Sequence, residues 1–201
     1  MKVQEMAAEQ RKERADAARN RRAILDATSA LLAEHGAEGV TMDRVAAAAG
    51  VGKGTVFHRF GSRAGLLHEL MAEPAFTLMA AITEGPPPLG PGAPAPDRLL
   101  AFVDAMITMA ADHVELMAAS RALALPPHPR TAEIHGTWFG HVATLLREIR
   151  PDLDAETAGP LLLSMISTEY AATVARAGGV DRLRASILDI VRSVVRGAPA
   201  R

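Results

Sequence analysis

Glycines at 50, 52 and 61, in AGVGKGTVFHRFG, leave room for helices of only about two turns on either side of a tight turn. Upstream, VTMDRVAAAA offers Thr41 as an N-cap and Asp43 in the first turn, where the helix dipole favours an acid. Val45, Ala46 and Ala49 fall at inward-facing spacing. Gly50 suits the left-handed conformation that closes such a helix. A second short helix is expected from Gly52 to Phe60, burying Val56 and Phe60, four residues apart. FGS stops it, and Ser62 can cap the next helix, RAGLLHELMAEPAFTLMAAI, in which Pro74 is a candidate kink. Before the pair, RNRRAILDATSALLAEHG places Ile24, Ala27, Thr28, Leu31 and Leu32 on one stripe, ended by Gly36 and Gly39.

The rest of the chain is also patterned for helices. Residues 84–96 hold six of the 13 prolines and can only be a loop, expected to be mobile. Helical periodicity returns over 97–124, 129–149, 154–177 and 180–196, with breaks at LPPHP, RPDLD and GGVD. Gly159-Pro160 marks either the true start of the third of these helices or a kink. Strand-like alternation is absent and aromatics are 3% of residues, so the chain is read as all-α. The expected order is a flexible arm (1–18), a three-helix helix-turn-helix domain (19–62), a connecting helix (63–83), the proline-rich loop (84–96), and a helical effector-binding and dimerisation domain (97–201).

Composition excludes several classes. With no cysteine, disulfides and thiolate metal sites are out. No apolar run reaches the roughly 20 residues that span a bilayer. The N-terminal stretch is charged with both signs and lacks an apolar signal core, so a cytoplasmic protein without membrane contact is expected. Residues 1–63 hold 11 Lys and Arg against 8 Asp and Glu; the remainder holds 11 against 15. That asymmetry permits nucleic-acid contact by the first third.

GVGKGT invites comparison with a nucleotide-binding phosphate loop, which needs glycine, four residues, then Gly-Lys-Ser or Gly-Lys-Thr after a strand. Here Gly54 follows Lys53, Ala47 stands five before Gly52, and the preceding segment is helical. A helix-turn-helix fits instead, with its second helix entering the DNA major groove. Gly52 and Gly54 let backbone approach backbone. Lys53 and Thr55, at the helix start, can reach base edges. His58 and Arg59 extend the polar face, and Arg63 starts the next helix in a position suited to phosphate. Of the basic arm, Arg19, Arg21 and Arg22 are candidates for minor-groove or phosphate contact, although the interspersed acids also fit a solvated helix.

TMDRVAAAAGVGKGTVFHRFGSRAGLL resembles the DNA-binding domain of the TetR family of bacterial one-component regulators, whose usual form runs through AGVS, KGTLYRHF and SKEALL. The likeness covers residues from about 20 to 70. It implies that Thr41 binds phosphate with Arg44 nearby, and that Lys53, Gly54 and Thr55 meet base edges and adjacent phosphates. It places His58 and Arg59 towards the groove. Phe57 replaces the usual tyrosine, removing a hydroxyl-to-phosphate bond but keeping a ring for the sugar-phosphate. Arg63 replaces the usual lysine, and Gly52 replaces a common serine, weakening the helix cap. The resemblance further implies a homodimer that represses transcription from a palindromic double-stranded DNA operator, with a small-molecule effector held by the C-terminal half. Activation, or an interaction module that no longer binds an operator, remains an alternative.

An effector pocket in a helical domain should be apolar with a few convergent polar groups. Phe102, Met106, Met109, His113, Met117, Trp138, Phe139 and Met165 recur at roughly helical spacing, and Glu169 and Tyr170 can bring polar atoms to one end. The same residues would serve as plain core. His135 and His141 stand six apart, which is wrong for one helical face, so no metal and no cofactor is expected. No nucleophile-base arrangement supports an enzyme. Leu161, Leu162, Met165, Ile166, Leu183, Ile187, Ile190, Val191 and Val194 exceed what one small core requires. The resemblance places them in a four-helix bundle with a second subunit, which would space two recognition helices about one DNA turn apart.

Overall fold

The computed structural model describes residues 2–114, 116 and 130–197; side chains are described except at 2–10, 13, 14 and 169. Among these residues there are nine α-helices and no strand. They are α1 (Lys2–Gly39), α2 (Met42–Ala49), α3 (Lys53–Phe60), α4 (Arg63–Glu84), α5 (Ala95–Asp112), α6 (Thr131–Ile149), α7 (Ala155–Ser164), α8 (Glu169–Arg176) and α9 (Val180–Arg196). The chain divides into two compact units, one within Met1–Ala72 together with Leu116, the other within Glu73–Val114 and Pro127–Arg201. The division falls inside α4, two residues before Pro74.

In the first unit, the stretch expected as an arm lies within α1, which is interrupted at Gly36 (φ 65°). Thr41 caps α2, its Oγ1 accepting from the Arg44 N–H at 3.2 Å. Gly50 closes α2 at φ 65°, and the Val51 N–H reaches the Ala46 carbonyl at 3.0 Å, turning the chain back within two residues. Gly61 ends α3, its N–H donating to the Phe57 carbonyl at 2.8 Å. Ser62 Oγ then accepts from the Gly65 N–H at 3.1 Å to start α4. One face of each helix meets in a core of Ile24, Leu25, Leu32, Val40, Met42, Val45, Val56, Phe60, Leu66 and Leu67. Thr28 is buried there too, with its hydroxyl satisfied by the Ile24 carbonyl at 2.7 Å.

In the second unit, Leu99, Phe102, Val103, Met106 and Ile107 of α5 pack with Trp138, Val142, Leu145 and Leu146 of α6, Leu162 and Leu163 of α7, and Ile187 and Val191 of α9. The proline-rich stretch is a loop, closed where the Gly90 N–H donates to the Pro86 carbonyl at 3.0 Å. Pro94 and Pro96 flank the first residue of α5, positions where a missing N–H costs nothing. Gly159 lies inside α7 against α6; a Cβ there would stand 3.4 Å from Val142 Cγ1.

Two expected helices are corrected. The run 97–124 is cut at His113, which caps α5 with φ −118°. The run 154–177 is two helices, because residues 165–168 form a turn. Ser164, Ser167 and Thr168 supply the cause, since short hydroxyl side chains compete for backbone groups. Ser167 Oγ donates to the Ser164 carbonyl at 3.4 Å, and Thr168 Oγ1 accepts from the Ala171 N–H at 3.0 Å, restarting the chain as α8. Gly159-Pro160 is not the start of α7: Asp154 caps it, accepting from the Thr157 N–H at 3.3 Å.

Candidate nucleic-acid interface

The α3 helix has two unlike faces because Val56 and Phe60, four residues apart, are the apolar residues it buries. These are buried, while Lys53, Gly54, Phe57, His58 and Arg59 are exposed and Thr55 is half-buried. Phe57 is 42% exposed, unusual for a ring that has an apolar core one turn away. It lies instead beneath the Lys53 ammonium, 5.8 Å from Nζ to the ring centroid. No acid stands in the first turn of α3, and His58 and Arg59 occupy its last turn, so the exposed face is cationic. Gly52 caps α3 through its backbone geometry alone, with no side-chain bond. No atom lies within 4 Å of a Cβ built on Gly54, so its backbone is open to close approach.

Lys53 is not free. Its Nζ stands 2.7 Å from Asp43 Oδ1 and 3.0 Å from Oδ2, an ion pair between the second helix and the third. Thr41 and Arg44 are exposed at the start of α2. Arg63 departs from expectation. Its guanidinium turns inward to the Ala37 carbonyl, and its Nε is buried without a partner among the described residues. The Ala37 carbonyl, at the end of α1, already accepts from the Val40 N–H at 3.1 Å and takes Arg63 as a second donor. Among the arm's arginines, Arg21 pairs with Glu69 at 2.8 Å and covers Phe60 at 5.8 Å, Arg19 pairs with Asp16, and Arg22 lies 3.2 Å from Asp26.

The residues proposed for an effector pocket separate in the structure. Phe102, Met106 and Trp138 are in the second unit's core, with Met109, Phe139 and Met165 packed half-buried against it. His113 is half-buried at the end of α5. Tyr170 is 74% exposed and does not belong to that core. Met117 and the Glu169 side chain lie outside the described residues. Sequence reasoning missed Arg98 and set His141 aside as a metal candidate. Both enter this core on the α5–α6 side, where the His141 ring meets Phe102 edge-on, 5.1 Å between centroids. Burial pushes the His141 imidazole down to about 4, and the Arg98 charge acts in the same direction. The available signal was spacing: His141 stands three residues after Trp138, one helical turn away. His135 is exposed beside Trp138 and Phe139. Among the described residues no group of three acids and histidines could hold a metal.

The residues proposed for a dimer interface separate too. Leu162, Ile166, Ile187 and Val191 are buried in the chain's own core. Met165, Leu183 and Val194 pack half-buried against it. Leu161, 62% exposed, and Ile190, 47% exposed, are what α7 and α9 leave in solvent.

Two short capped helices on one core, with a cationic outer face on the second, define a helix-turn-helix DNA-binding domain. Residues 24–70 match the family model of bacterial regulatory proteins, tetR family. The first unit therefore carries a tetR-family domain, on a chain with the fold of that family's regulators. A putative TetR-family transcriptional regulator from Rhodococcus sp. shares the fold with a TM-score of 0.67 at 22% identity, over 89% of this chain and 99% of that one. The fatty acid degradation regulator FadR from Bacillus halodurans does so with a TM-score of 0.67 at 20% identity, over 90% and 97%. FadR from Bacillus subtilis, solved in complex with stearoyl-CoA, gives 0.64 at 22% identity, over 86% and 97%. None of the curated proteins matches the chain in sequence. No helix among the described residues is long and apolar enough to cross a membrane.

Proposed function

We propose that this chain is a cytoplasmic, homodimeric transcriptional repressor that leaves a palindromic operator when a small apolar or amphipathic effector binds its C-terminal half. The observation that carries the reading is the outer face of α3, where Lys53, Gly54, Phe57, His58 and Arg59 stand exposed opposite buried Val56 and Phe60. In this reading Lys53 and Thr55 meet base edges, Thr41 and Arg44 meet phosphate from α2, and Phe57 packs on a sugar. Arg63 acts indirectly, holding the end of α1 against the domain. Leu161 and Ile190 provide exposed apolar surface for a second copy. The stearoyl-CoA complex of FadR supports an amphipathic effector in a chain of this fold. Release requires the effector to bind the conformer with mismatched recognition helices better than the other. A differential of about 3 kcal/mol would weaken DNA binding roughly 150-fold.

The test is binding to the DNA flanking the protein's own gene across a salt series, with Lys53→Ala alongside. Tight, salt-sensitive binding to a palindrome is expected. Losing one base contact should cost about 1–3 kcal/mol, or roughly 5- to 150-fold in affinity. If neither that DNA nor any duplex selected from a random pool binds above the non-specific level, the chain is an interaction module and the reading fails. Raised rather than lowered transcription from a bound operator would make it an activator.

A further inference from the structure

The second unit buries three side-chain nitrogens with no hydrogen-bond partner among the described residues: Arg98 Nε, Trp138 Nε1 and His141 Nε2. Buried polar atoms are nearly always paired, so three on two neighbouring helices call for an account. Arg98 and Phe102 lie one turn apart on α5, Trp138 and His141 one turn apart on α6, and the Phe102 and His141 rings touch. The ring contact and the Arg98 charge felt by His141 bring these residues to one α5–α6 seam, and Phe102, Met106 and Trp138 are buried in the same core.

Charge narrows what they lack. The hydrogen bond Arg98 makes is from Nη2 to the Ile82 carbonyl at 3.1 Å, a neutral acceptor. Among the described residues no carboxylate pairs with it. A half-buried guanidinium whose Nε is enclosed and which has no anion beside it is electrostatically incomplete, and a carboxylate matches its planar fork of donors. Water would satisfy the indole and the imidazole but would bring no charge. We propose that Arg98, Trp138 and His141 form the polar end of a ligand site along the α5–α6 seam, taking the carboxylate of an amphipathic acid whose apolar body lies against Phe102 and Met106. The site deepens the effector reading above and rests on it for its regulatory meaning.

Trp138 is the chain's one tryptophan, so its emission reports on the site directly. Decanoate, decanol and methyl decanoate would be titrated into the full-length protein, without DNA, at pH 7.4. Decanoate should produce a saturable emission change at least about tenfold more tightly than either neutral compound, the scale of one charge-assisted contact. Arg98→Gln should erase that preference and Arg98→Lys should keep part of it, with far-UV circular dichroism confirming the fold. Arg98 also holds the end of α4, so if Arg98→Gln does not fold, the wild-type comparison and Arg98→Lys decide. Equal affinity for acid and alcohol, an intact preference in Arg98→Gln, or no saturable change with decanoate would overturn the site. Acid binding that leaves an operator complex untouched would count against the effector reading alone.

Discussion

On α3 the side chains of Lys53, His58 and Arg59 are exposed, whereas along α5 and α6 Arg98 Nε, Trp138 Nε1 and His141 Nε2 lie buried without a hydrogen-bond partner among the described residues. Exposed cations suit a partner that is large, anionic and met at the surface. Their cost in the free protein is small because water solvates them. Buried nitrogens suit a partner small enough to enter a core, and they burden the fold until it arrives. The lesson is that one chain can hold two recognition chemistries by placing polar groups at opposite depths.

That contrast can be broken by removing what lies beneath α3. Phe60→Ala should cost the first unit about 3–5 kcal/mol, since a buried ring leaves a cavity, and DNA binding should vanish with the fold; a urea melt followed by hydrogen exchange of α2 and α3 measures it. Lys53→Ala, on the exposed face, should lose affinity while changing the melt by less than about 0.5 kcal/mol. An equal loss of stability in both variants would erase the distinction between the faces.

The buried side has its own signature in acid. The folded chain holds His141 near 4, whereas the unfolded chain returns it to about 6.5. Between those values the unfolded state takes up a proton that the folded state refuses. Stability therefore falls as pH drops from about 6.5 towards 4, and with solvent screening of this partly exposed ring the loss at pH 5 is on the order of 1 kcal/mol. Urea midpoints at pH 7 and 5 should converge more in His141→Gln than in wild type, and equal pH dependence would contradict the burial argument. The smallest effect belongs to Gly52→Ser. Gly52 has φ −68° and ψ 143°, and a Cβ there meets nothing nearer than Thr55 Oγ1 at 3.8 Å. A side-chain cap should add a few tenths of a kcal/mol to thermal stability.

The first unit was legible because its signals are local. Thr41, Gly50, Gly61 and Ser62 each act within four residues, so capping chemistry alone located α2, the turn, α3 and the start of α4. The hydrogen bond of Arg63 to the Ala37 carbonyl had no local signal, since the two lie 26 residues apart. In the second unit the periodicity located α6 and α9 to within two residues, but Thr168, between Ser167 and Glu169, was not recognised as a second N-cap. Ile187 and Val191 read as surplus apolar residues because a sequence does not say how many faces its core has. Arg98 carries no signal in the sequence, and His141 stands out there only as a candidate metal ligand. What makes them unusual is the absence of a partner, which only the packing of α5 on α6 reveals.

In the operator-binding reading proposed above, the ion pair between Lys53 and Asp43 would set a threshold on recognition. Any phosphate or base that reaches Lys53 competes with a carboxylate already 2.7 Å away. An ill-fitting duplex, offering a distant or poorly angled acceptor, gains almost nothing from displacing it. A fitted duplex gains the difference and leaves Asp43 facing a polyanion, which penalises lingering where the fit is poor. Selectivity of this kind needs no additional contact to DNA; it comes from what the cation must give up first.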